Sequence, residues 1–136
     1  MVATTKNSGT FTAKMPPEPD FNATQVQVYT DPDGKKHFSG TYRANPTDHD
    51  HRVFYIITSR DIPNGKHEFP SGPDGIQTVL YSQRVDNVEV TRATIEKGTF
   101  TVEFHEGNYK IGFHADLRDR SGKLIDVLGN VDITES

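Results

Sequence analysis

The chain has 136 residues, a formal net charge of −4, 32% hydrophobic residues and no cysteine. That length fits one domain, which at this size buries roughly two-thirds of the surface the unfolded chain exposes. Three things are excluded as drivers of function: thiol or disulfide chemistry, the basic footprint of a nucleic-acid binder, and insertion through an apolar helix of ~20 residues.

The apolar residues point to strands. Val, Ile and Thr number 34, against 12 for Leu, Ala and Met. β-branched side chains suit a pleated surface, and the second group suits helices. An all-β chain is the direct reading.

In chain order, residues 1–8 are polar and read as a flexible segment, leaving one domain over 9–136. "GTFTAK" (9–14) alternates as a first strand, and the proline-rich 15–23 is an extended connection. "TQVQVYT" (24–30) puts Val26 and Val28 on one face. "DPDG" (31–34) is a turn, with Pro32 presetting φ and Gly34 accepting a positive one. "KKHFSGTYRA" (35–44) returns as its hairpin partner. Residues 45–50 form a polar loop, and "HRVFYIITS" (51–59) is apolar on both faces, the pattern of a strand covered on both sides. A long connection over 61–75 carries a short strand near Lys66–Phe69. Strands follow at 76–82 and 86–98. A three-stranded meander (98–106, 109–119, 123–134) ends the chain, with Phe100, Phe104, Ile111 and Phe113 expected in the core. Gly-Thr-aromatic occurs at Gly9, Gly40 and Gly98, and is expected to mark a bulge or kink with an aromatic ring packed over the glycine. The architecture expected from these elements is a single antiparallel β-sandwich of about eight or nine short strands, with a closed β-barrel as the alternative.

"DHDHRVFYIIT" (48–58) is the stretch that raises chemistry. His49 and His51 are two apart, so on a strand both face one way, as strand-borne metal ligands do. This pair, followed by Pro63-Asn64-Gly65-Lys66-His67, resembles the H-x-H and P-x-G-x-x-H motifs of cupins over about 20 residues. The resemblance implies a metal site formed by His49, His51 and His67. The chain departs from the cupin pattern in three ways. Val-Phe-Tyr-Ile stands where a glutamate should follow the pair, His67 arrives one residue early, and too few residues separate His51 from Pro63 for the intervening strands. The competing reading is a polar loop entering a buried strand, with His49 and His51 at or beyond its wet end and no metal held there.

No Gly-x-Ser-x-Gly elbow, phosphate loop or completed calcium loop is present, so no catalytic residue is selected and no cofactor is expected. The functional expectation is therefore a non-catalytic binding or protein-interaction module whose partner is a protein or small ligand. The alternatives are a small cupin-like, metal-dependent enzyme using a histidine cluster, and a self-associating subunit pairing through its sheet edges as a homo-oligomer. Neither nucleic acid nor membrane insertion is expected. The opening residues lack the apolar centre of a signal peptide, so the chain as written reads as cytoplasmic; a leader already removed would make it secreted or periplasmic.

Overall fold

The computed structural model describes residues 7–43, 51–70, 75–85 and 88–135. These are 77% strand with no helix, in one antiparallel sheet curled into a half-barrel. The strands are β1 (Asn7–Lys14), β2 (Phe21–Asn22), β3 (Gln25–Thr30), β4 (Lys36–Arg43), β5 (His51–Thr58), β6 (Gly65–Phe69), β7 (Ile76–Val85), β8 (Val88–His105), β9 (Asn108–Asp119) and β10 (Leu124–Glu135). Their hydrogen-bonded order is β2-β1-β10-β9-β8-β7-β5-β4-β3, with β6 added on β8. Among the described residues, no helix is long and apolar enough to cross a membrane.

The two ends of this order approach each other. Ala23 N donates to Phe11 O of β1, and the next residue, Thr24 N, donates to Thr41 O of β4 (2.9 and 2.8 Å). The segment joining β2 to β3 thus touches both ends of the sheet. Asn7 Nδ2 of β1 also reaches Val28 O of β3 at 3.5 Å.

Alternation sends one face of every long strand inward, where aromatic rings fill the space. Phe11, Phe21, Phe54 and Tyr81 form one cluster, with centroids 5.0 Å apart for Phe54–Tyr81 and 5.6 Å for Phe11–Phe54. Phe38, Phe104 and Tyr109 form a second, and Phe100 stacks on Phe113 at 5.5 Å. Two glycines make room for these rings. A Cβ on Gly129 would lie 2.1 Å from Phe113 Cζ, and one on Gly40 would lie 2.7 Å from Phe11 Cβ.

The strand expectations hold through most of the chain, including the β3–β4 hairpin and the closing meander. In its turn, Asp31 accepts from the amides of Asp33 and Lys35 (both 2.9 Å) and pairs with His37 at 2.8 Å. The His37 bond, followed by these amides, holds the Asp31 carboxyl below its ordinary range. Four details differ. Asn7 and Ser8 already pair with Glu135 and Thr134, so β1 begins inside the stretch expected to be flexible. The connection after β1 is more structured than an extended link, because Met15 and Phe21 are buried. Residues 86–98 and 98–106 are not two strands. From Val88 to His105 they form one strand, β8, whose register shifts between Ile95 and Lys97. A bulge bends a strand without ending it, so the polar Glu96-Lys97-Gly98 resembles a turn in sequence. Finally, Phe104 is only partly buried, while Phe100, Ile111 and Phe113 lie in the core.

Two of the three Gly-Thr-aromatic motifs meet in the interior. Gly40 of the second copy is covered by Phe11 of the first, so the ring comes from another strand and not from the glycine's own motif. Gly98 sits just after the β8 bulge and against Ala115.

Burial separates the two phenylalanines of β8. Phe100→Ala should lower stability in denaturant melts by about 3–5 kcal/mol, and Phe104→Ala by clearly less. Equal losses would show that the register of the meander is misassigned.

Candidate functional site at the mouth of the curled sheet

The register of β4, β5 and β7 arranges the inward side chains in rows. Gly40, Phe54 and Tyr81 are cross-strand neighbours, and the next inward row is Tyr42, Arg52 and Gln83. Between these rows the interior changes from aromatic to polar. Arg52 shares its face of β5 with Phe54 and Ile56, both fully buried, yet it is itself half-buried. Strand periodicity compels this placement: a residue two before an inward Phe also points inward.

The polar row opens into a cleft of about 740 Å³. That volume lies within the ~300–1,000 Å³ typical of small-molecule sites. Arg92 and Arg120 join Arg52 along its wall, while Glu18 and Pro19 come from the β1–β2 connection and Asp119, Ser121 and Ile125 from the β9–β10 end. Arg52 lies over the Tyr42 ring, 4.7 Å from its centroid, a geometry that holds a guanidinium in place without neutralising it. Arg92 donates from Nε to Gln83 Oε1 at 2.7 Å and from Nη2 to the same oxygen. Among the described residues, Arg52, Arg92 and Arg120 form no ion pair with a carboxylate.

Tyr81 spans the boundary. Its ring packs on Phe54 and Phe21, while its hydroxyl faces Arg52. Burial pushes this phenol above its ordinary range, with Arg52 pulling the other way, so at neutral pH it remains a neutral O–H. Asp119 is engaged within its own turn, accepting from Ser121 Oγ (2.7 Å) and from the amides of Ser121 and Lys123 (both 2.9 Å). The Ser121 hydroxyl bond, followed by the Lys123 amide, lowers its pKa.

The residues singled out in sequence lie elsewhere. His49 is outside the described residues. His51 opens β5 between Arg43 and Arg84 and is buried, 6% exposed, so it is not at a wet strand end as expected. In the sheet it is flanked by partners far away in the chain, Arg43 on β4 and Arg84 on β7. His67 lies on β6, and its Nε2 donates to the Pro63 carbonyl at 2.6 Å. Since a carbonyl only accepts, Nε2 carries the proton. The preceding Asn64 serves the sheet: its side-chain amide pairs with Phe104 N (2.8 Å) and Phe104 O (3.3 Å), extending the β6–β8 pairing. β5 pairs with β4 and β7 while β6 pairs with β8, so His51 and His67 are on strands that do not pair. Among the described residues, no group of three or more His, Asp or Glu side chains is arranged to hold a metal.

A second depression, of about 650 Å³, crosses the outer face of β1, β10, β9 and β8. Gly112 leaves a gap between Asn130 and Thr101 in its floor, and its histidine, His114, pairs with Asp126 at 2.6 Å. The mouth cleft differs in presenting three guanidiniums beside buried aromatic rings. Comparison with protein-family models, curated proteins and solved structures finds no match to this chain.

The burial of His51 has a direct consequence. His51→Ala should cost about 0.5–3 kcal/mol in equilibrium unfolding, as for other buried positions. A change smaller than about 0.5 kcal/mol would place His51 at the surface after all.

Proposed function

We propose that the protein is a small-ligand binding module, built as a barrel with a packed interior and one receptive mouth. The barrel is supported by the Ala23 and Thr24 amides, which bond to opposite ends of the sheet order, and by Phe11 of β1 meeting Gly40 of β4 across the interior. Binding is supported above all by the change of lining at the mouth. The aromatic packing stops at Phe54 and Tyr81, and the next inward row is Tyr42–Arg52–Gln83. A row with no ligand role would more economically be apolar or turned outward, since inward guanidiniums lose hydration. The arrangement offers fixed hydrogen-bond donors over an apolar floor, the combination that orients a ligand in a small-molecule site.

Amide NMR during titration with a library of small organic fragments tests this reading. Hits should shift resonances of Tyr42, Arg52, Tyr81 and Gln83 and leave those around Gly112 unchanged. A library without hits at the mouth, or with hits grouped on the outer face, would refute it.

A further inference from the structure

We infer that the mouth cleft takes a small amphipathic organic acid: an aromatic or similarly apolar body bearing one carboxylate or phosphate group. This inference rests on the mouth being the binding site and adds the chemistry of the ligand.

The donors decide the sign of charge. Arg52, Arg92 and Arg120 bring three guanidiniums to one cleft, and among the described residues none pairs with a carboxylate. Two acids oppose them, but they are not equivalent. Asp119 has its carboxylate occupied by a hydroxyl and two amides of its own turn. That leaves Glu18, whose charge is felt by Tyr81. Three guanidiniums against two carboxylates, one of them already hydrogen-bonded within its own turn, leave the cleft net positive and favour an anionic guest, and guanidinium N–H groups match the paired oxygens of carboxylate and phosphate. The neutral Tyr81 hydroxyl lies beside Arg52 and adds a polar contact at the cleft floor.

The floor decides the body. Below the guanidiniums lie the Tyr81 and Tyr42 rings, with Pro19 and Ile125 beside them. Tyr81 continues directly into the Phe54 and Phe21 cluster, so a ring placed there would extend an aromatic stack that already exists. A bare inorganic anion would leave this floor hydrated. A neutral aromatic would leave the guanidiniums without a partner.

The probes are 2-naphthoate, 2-naphthyl phosphate and the neutral 2-naphthamide, titrated by calorimetry with amide NMR reporting location. At least one anion should bind about tenfold more tightly than the amide, the scale of one charge-assisted hydrogen bond. Raising salt from about 0.02 M to about 0.5 M should narrow that gap. Arg92 and Arg120 are exposed, so Arg92→Gln with Arg120→Gln should fold normally, as a melt would verify, and lose most of the anion preference while still binding the amide. Glu18→Gln should move affinity the opposite way and strengthen anion binding. Anion and amide binding at the mouth with equal affinity, or an anion preference untouched by the arginine pair, would overturn the acid assignment and leave the binding site standing. Failure of all three probes to shift mouth resonances would overturn both.

Discussion

The contact between Phe11 and Gly40 is the constraint on which the rest of the structure depends. In the hydrogen-bonded order, β1 lies next to one end of the sheet and β4 next to the other. Only by curling can the sheet bring them together, and Phe11 reaches the backbone of β4 because position 40 has no side chain. A Cβ there would sit 2.7–2.9 Å from three atoms of Phe11, well inside contact distance. From that point the aromatic cluster spreads through Phe21 and Phe54 to Tyr81. Close packing of this kind tolerates little change in volume.

The mouth follows from where that packing stops. Phe54 and Arg52 lie on the same face of one strand, two residues apart, and the boundary between core and cleft falls between them. Tyr81 serves both sides, with its ring in the cluster and its hydroxyl in the cleft. The fold therefore gives the cleft a rigid floor. Arg52 is braced over Tyr42 and Arg92 is anchored on Gln83, so these two charges are largely positioned before any guest arrives. In the proposed binding role this matters because preorganised donors lose less entropy on binding than free ones.

Alternation made most strands legible, since the β-branched excess and the turn at Asp31–Gly34 are local signals. The β8 bulge was not legible. Glu96 interrupts the period over a polar stretch, and only the partner strand β9 shows that the chain continues through it. The histidines drew attention in "DHDHRVFYIIT", yet the informative residue was the next one. Arg52 is two positions from Phe54 and four from Ile56, so a charge at inward parity could have been noticed without any structure. The remainder of the cleft could not. Arg92, Arg120 and Glu18 come from segments far apart in sequence, and only the curl of the sheet collects them. The burial of His51 is likewise not written in its own stretch, whose polar Asp-His-Asp neighbours read as a wet strand end.

The most direct test of this account is a double-mutant cycle on Phe11 and Gly40, measured by equilibrium denaturation. Alone, Gly40→Ala should destabilise by about 1–3 kcal/mol, the usual cost of forcing extra volume into a packed core. In a Phe11→Ala background the added methyl should find room, and most of that cost should disappear, giving a coupling of about 0.5–3 kcal/mol. Additive losses, within about 0.3–0.5 kcal/mol, would mean that the two residues do not touch and that the sheet does not curl as described.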